Sequence, residues 1–261
     1  MRALSIAATG MDAQQRRVEV ISNNLANMNT TAYNTRRAEF ADLHYQIARA
    51  AGSSSSATGD IVPEGVQLGM GVRTSSISID ITQGSLKETS GDLDVAIEGN
   101  GYLEITLPSG ESAYTRDGAL KRSAEGLVVN AEGFPVAGNI TIPNNARDIV
   151  INPQGEVFVT IDGQTQASLI GTMGLVTFSN AKGLEALGGN LYRETEASGT
   201  PLLGLAGQDG RGIFRQGYLE ESNVDVVAQI AELIEAQRGY ELNSKVITAA
   251  DQMMGATTQI R

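Results

Sequence analysis

A single histidine, His44, stands in this 261-residue chain. Nothing around it resembles the nucleophile elbow or the converging serine and carboxylate that a Ser-His-Asp relay needs, so His44 reads as structural. Asp92 and Asp94 have the chemistry of Ca²⁺ ligands, but the loop spacing of an EF-hand is missing; flanking a turn ahead of a strand is the simpler role. Gly99-Asn100-Gly101 and Gly69-Met70-Gly71 are bare G-x-G matches. A dinucleotide site needs such glycines to open a helix after a strand, whereas Gly101 leads into Tyr102 to Leu107, which alternates like a strand. Asn29-Thr30-Thr31 and Asn139-Ile140-Thr141 fit the N-glycosylation pattern, which arises often by chance. Cysteine is absent, so no disulfide framework, thiolate nucleophile or cysteine-based metal site is available. That absence is either the small sample of a rare residue or the mark of a protein that enters an oxidising compartment. The expectation is therefore no enzyme: no catalytic residue, no cofactor and no metal.

The bulk properties narrow the partners. Net charge is −11, which opposes nucleic-acid binding, since that draws its affinity from Lys and Arg against phosphates. An anionic membrane surface is disfavoured for the same reason. No stretch approaches the roughly 18 apolar residues that span a bilayer. Met1 to Met28 is amphipathic, with Arg16, Arg17 and Glu19 inside it, and lacks the compact apolar core of a secretory leader. A chain of this kind, if it leaves the cytoplasm, is expected to do so without a cleaved leader.

The strongest pattern lies at the two ends. Leu4, Met11, Val18 and Leu25 recur every seven residues, joined by Ala7, Ile21 and Met28 one turn on. Val226, Leu233, Tyr240, Ile247 and Met254 repeat the pattern near the C-terminus. A seven-residue period lays apolar side chains along one narrow stripe of a helix, suited to packing lengthwise on another helix. The first helix is expected over about Ala3 to Met28 and ends in the polar cluster Asn27 to Thr31. Gly10 inside it costs about 1 kcal/mol against Ala; close approach of a neighbouring backbone, or simple tolerance, accounts for it. The second helix is expected from after Ser222-Asn223, taken as its N-cap with Asp225 in the first turn, to about Thr258.

Between the ends, short period-two runs are broken by turn signals such as Pro108-Ser109-Gly110, Asp117-Gly118, Pro153-Gln154-Gly155 and Asp162-Gly163, which indicates antiparallel sheet. The fold class is α+β: discontinuous, coiled-coil-like terminal helices flanking an inserted, mostly antiparallel β domain. The expected division is a helical domain of residues 1–35 plus 222–261, an extended connection at 36–75, and a β-rich domain at 76–221. Ala50 to Asp60 is Gly/Ser-rich and marks a flexible loop within the connection.

Residues 1–37 carry a net +3, and residues 222–261 a net −2. Opposite signs favour pairing of the ends, though exposed pairs contribute only about 0–1 kcal/mol each. Gln14 interrupts the first stripe, and Gln237, Ser244 and Asp251 form a row beside the second. These polar members either lie on a solvated flank or set register at a cost in stability. Either way, the seams predict weak pairing in an isolated subunit and fuller order when many copies pack.

Ser22-Asn23-Asn24-Leu25-Ala26-Asn27, followed by Thr30-Thr31-Ala32-Tyr33, resembles the N-terminal signature of flagellar rod and hook proteins. Asp94 to Tyr102, leading to Tyr114-Thr115-Arg116-Asp117-Gly118, resembles their shared β domain, with Gly99, Gly101, Tyr114, Arg116 and Gly118 as signature positions. Gly217 to Val224, including Ser222 and Asn223, then Tyr240 to Lys245 and Asp251 to Met254, resembles their C-terminal signature. The three blocks span nearly the whole chain, and length and layout are most similar to the distal rod members. Asn34 departs from the pattern, where many members carry Lys.

The resemblance implies a structural subunit that self-assembles into the hollow distal rod of the bacterial flagellar basal body. The terminal helices would form the inner tube and the β domain the outer layer, transmitting torque and enclosing the export channel. The implied partners are further copies of the chain in a helical tubular polymer, other rod proteins, the hook protein or junction at the ends, ring proteins around the rod, and the flagellar type III export apparatus. The implied location is the periplasmic rod. Other readings are a β-domain-bearing proximal rod protein, a short hook protein, or a secreted β-domain binding module.

Overall fold

The computed structural model describes residues 2–51, 64–162 and 166–259. The Gly/Ser-rich loop falls outside these from residue 52 to 60, as does Gly163 of one expected turn. Two compact units emerge, one of Met1–Ala26, Arg36–Ser78 and Asp225–Arg261, the other of Asn27–Thr35 and Ile79–Val224. Residues 36–75, expected as an extended connection, instead group with the terminal helices.

The first unit is built on α1 (Arg2–Ala26) and α2 (Val226–Gln259). Both are free of proline and rich in alanine, glutamine and other good helix formers. At about 1.5 Å per residue they run roughly 37 and 51 Å. The cap of α2 is Asp225, not Ser222 or Asn223: its Oδ1 accepts the Val227 and Ala228 amides at 2.9 and 3.1 Å. That satisfies two of the N–H groups a helix start leaves open. No described helix is long and apolar enough to cross a membrane.

The helices pack antiparallel, and apart from Ile21 the residues they bury are small or polar. Ala7, Ala13, Ile21 and Asn24 are buried on α1, and Gln229, Ala236 and Ala250 on α2. A Cβ at Gly10 would lie 3.0 Å from the Asn243 side-chain nitrogen, and one at Gly239 would lie 3.1 Å from Gln14 Cδ. Close approach therefore explains Gly10, though the neighbour is a side chain and not backbone. The charge asymmetry is realised where Arg17 meets Glu235 at 3.0 Å and Glu232 at 3.9 Å.

Two strand pairs join this unit. β1 (Arg36–Asp42) pairs with β4 (Val72–Ile79), and between them β2 (Tyr45–Arg49) and β3 (Val66–Gly69) form an antiparallel ribbon with Tyr45 opposite Gly69. The start of β4 docks on α1, where the Val72 amide donates to Thr9 Oγ1 at 3.3 Å.

The second unit is a set of small antiparallel sheets around a large apolar core and a smaller cluster of Tyr102, Tyr114, Val176 and Leu184. β5 (Leu86–Glu88) pairs with Tyr218–Glu220, and β6 (Val95–Glu98) with Ile213–Gln216. β7 (Leu103–Thr106) and β8 (Ser112–Thr115) form a four-stranded sheet with Leu191–Arg193 and Glu185–Gly188. Ala146–Ile151, Glu156–Ile161 and Ser168–Thr172 form a three-stranded meander. Their inward residues, among them Val95, Ile97, Leu103, Ile105, Val157, Leu175 and Phe214, are almost wholly removed from solvent. Replacing Ile97 by Ala should cost about 2–5 kcal/mol, read as a lowered urea midpoint at unchanged slope.

Candidate functional site

His44 is exposed. Asp94 accepts the Thr89 hydroxyl at 2.6 Å, and its amide closes a turn on the Gly91 carbonyl, leaving β6 to begin at Val95. The polar residues that converge are the signature positions, and each unit has its own cluster.

In the first unit the cluster centres on Asn24, in the last turns of α1 and 1% exposed. Its Oδ1 accepts the Arg36 amide at 2.9 Å, and its Nδ2 donates to the Arg36 carbonyl at 2.8 Å. The side chain thus offers the first residue of β1 the same donor and acceptor that a neighbouring strand would. Nδ2 also donates to Gln229 Oε1 at 2.9 Å, in the first turn of α2. One amide therefore ties α1, β1 and α2, and burial raises the cost of losing it. Ser22 and Asn23 are exposed and Leu25 is half-buried.

In the second unit Arg116 and Glu220 form an ion pair with side chains only 9% and 3% exposed. Nε and Nη2 of Arg116 donate to Glu220 Oε2 at 3.0 and 2.9 Å. Nη1 donates to the Gly99 and Gly101 carbonyls, both at 3.0 Å, and Nη2 to the Ile97 carbonyl at 3.3 Å. All five guanidinium donors are engaged, as burial of a charge demands. Glu220 Oε1 takes the Gly84 amide at 3.1 Å, and the Glu220 carbonyl takes the Ala32 amide at 2.8 Å. The G-x-G at 99–101 is thus a cradle of carbonyls for a cation, the reverse of a phosphate loop. Its glycines sit at φ of 109° and 145°, which side chains resist. At Gly118 a Cβ would collide with the Val95 carbonyl.

Asn223 completes this cluster. Its Oδ1 accepts the Thr35 amide and hydroxyl, both at 2.7 Å, while Nδ2 donates to the Asp80 and Thr82 carbonyls, both at 2.9 Å. Ser222 makes only a long contact, 3.4 Å from the Val224 amide. Asn27 holds a turn, its Oδ1 accepting the Thr30 hydroxyl at 3.1 Å. Tyr114 packs edge-on against Phe178 with ring centroids 4.8 Å apart, and burial pushes its hydroxyl pKa up to about 12.

The expected seam divides differently from the sequence pattern. Ala7 and Ile21 are fully buried; Leu4, Met11, Val18, Leu25, Val226, Leu233, Ile247 and Met254 are half-buried, and Met28 and Tyr240 are exposed. Val18 and Tyr240 line one shallow groove of about 400 Å³ along the helix pair. Gln237, Ser244 and Asp251 are exposed, while Gln14 buries its Oε1 with no hydrogen-bond partner among the described residues. Sequence reasoning missed the roles of Gln229 and Glu220. Glu220 had a signal, an acid on a strand whose neighbours Tyr218 and Leu219 are apolar.

Comparison with known proteins completes the site. Residues 4–33 match the model of the flagella basal body rod protein, residues 96–159 that of the flagellar hook protein FlgE/F/G D1 domain, and residues 215–260 that of the flagellar basal body rod FlgEFG protein C-terminal region. The flagellar basal-body rod protein FlgG of Caulobacter vibrioides is 52% identical over the whole of both chains. That of Agrobacterium fabrum is 49% identical over 97% of each. The Helicobacter pylori flagellar hook protein FlgE2 aligns with 71% of this chain and 43% of its own, at 16% identity and a TM-score of 0.25, too slight a likeness to bear on the fold.

Arg116→Met strands Glu220 as a buried, unpaired charge and should destabilise the protein by about 3–5 kcal/mol. Arg116→Met/Glu220→Leu removes both charges and should lose less. The comparison is made by urea unfolding; a double variant weaker than the single one would contradict the ion-pair reading.

Proposed function

We propose a function from one premise: the chain belongs to the flagellar basal-body rod protein family. It is a structural subunit of the basal-body rod, located in the periplasm and assembled with other flagellar axial components. Within the rod it takes the distal position, polymerising with further copies into a hollow shaft that transmits torque and encloses the export channel. Other rod proteins and the hook or its junction meet its ends, and ring proteins surround it.

The observation that carries this reading is the placement of the large apolar residues on the helices. Apart from Ile21, the residues buried on α1 and α2 are small or polar, while most of the heptad residues are half-exposed. Elsewhere on α2, Val227 and Leu242 are 78% and 62% exposed, with Ile230, Ile234 and Val246 close to half. Full burial of such a side chain stabilises by roughly 1.5–3 kcal/mol, and an isolated subunit forgoes most of it. Coiled-coil-like packing of these seams between subunits recovers it. A head-to-tail contact that does not close a ring makes a helical filament.

Leu25→Asp and Leu233→Asp each place a charge where the polymer excludes water, at a cost of several kcal/mol. Each variant should abolish rod assembly and motility while the β-rich unit still melts cooperatively. Normal motility in either would overturn the reading.

A further inference from the structure

Strand β1 has two edges, and one of them lacks a strand partner. Just past the ends of β1 and β4, the Leu43 amide donates to the Gly71 carbonyl at 2.8 Å. The odd-numbered backbone groups of β1 therefore point toward β4, and the even-numbered ones point away, since these groups alternate along a strand. On the second edge the Asn24 side chain holds Arg36. Among the described residues no strand pairs with the rest of that edge, β1 and β4 forming a two-stranded sheet. Ala38 and Phe40 are the next residues along it. Both line a cleft of about 390 Å³ in the first unit, Ala38 half-buried and Phe40 exposed. Gln14, on the helix side of the same cleft, buries its Oε1 with no hydrogen-bond partner among the described residues. Native proteins seldom leave buried polar groups in this state, so the cleft is unfinished on both walls.

We propose that this edge accepts an extended segment of a second copy of the chain, added as a strand beside β1. An open edge is a template for such addition, and main-chain hydrogen bonds supply the affinity. Asn24 already shows the pattern: its amide takes at Arg36 the place that the incoming backbone takes at Ala38 and Phe40.

Charge favours a second copy as the occupant. Of the three arginines at the cleft, Arg17 alone has ion-pair partners among the described residues, Glu235 at 3.0 Å and Glu232 at 3.9 Å. Arg36 and Arg37 are left as cations to spare. The chain as a whole carries −11, so each further copy brings carboxylates in excess. The proposal rests on the rod reading, which surrounds each subunit with such copies. It adds a contact made by backbone to the one that reading places on the apolar helix residues. Edge and added segment are different surfaces, so the contact is head-to-tail and propagates along a filament.

The test compares amide hydrogen exchange at Ala38 and Phe40 between the dilute subunit and rods grown from the purified subunit alone. Exchange should be fast in the dilute subunit and slower by roughly a hundredfold or more in the rods. Ala38→Pro removes the donor, and an edge strand tolerates proline where the N–H has no ladder partner. That variant should melt like the wild type and yield at most about a tenth as much rod. Ala38→Gly keeps the donor and should assemble normally. Amides that exchange as fast in rods as in the dilute subunit would overturn the proposal, and so would wild-type rod yield from Ala38→Pro. Either result leaves the rod assignment standing. If Ala38→Pro fails to fold, the exchange comparison decides by itself. A wild-type subunit that builds no rod would overturn the rod assignment and this contact together.

Discussion

Close side-chain packing at two helix glycines governs much of what this chain can do. At Gly10 and Gly239 the opposing side chains, Asn243 and Gln14, reach to within about 3 Å of where a Cβ would stand. Apart from Ile21, the helix side chains buried in this unit are alanines and flat amides. The larger apolar side chains are displaced to the flanks and to the outer face. A tight intramolecular contact thus creates the unfinished apolar surface that an assembling subunit requires.

Each unit is then fixed by an asparagine side chain near a point where the chain leaves it, Asn24 buried and Asn223 half-buried. Asn24 stands two residues before the passage out of the first unit, and Asn223 one residue before Val224, where the second unit ends. Both act by giving backbone groups partners they lack from regular structure. Arg116 does the same in the β-rich unit, collecting carbonyls from Ile97, Gly99 and Gly101 that no strand partner takes. Such groups contribute little net stability when satisfied and cost a great deal when broken. They make each arrangement specific more than they make it strong.

Much of the fold was legible in the sequence. The seven-residue period located both helices to within a few residues, and alternation with turn signals identified the antiparallel region. The period could not say which stripe faces inward. Hydrophobicity pointed to Leu233 and Tyr240, whereas the structure buries Ala236 and Gln229, the latter as the acceptor of the Asn24 amide. The cap of α2 was misplaced by two residues, since Ser222, Asn223 and Asp225 are all competent caps and Asn223 is engaged elsewhere. The G-x-G at 99–101 carried a real constraint, but its partner Arg116 lies fifteen residues or more away, beyond what local spacing reveals. Family resemblance marked Asn24, Asn223 and Arg116 without giving their partners, which only the tertiary structure supplies.

The central claim is that the apolar core of the terminal helices is completed by other subunits. Amide hydrogen exchange across α1 and α2, compared between dilute monomer and assembled rod, tests it most directly. Exchange in the monomer should be fast over much of both helices, with protection rising by orders of magnitude on assembly. Helices already fully protected in the dilute monomer, and unchanged in the rod, would contradict it.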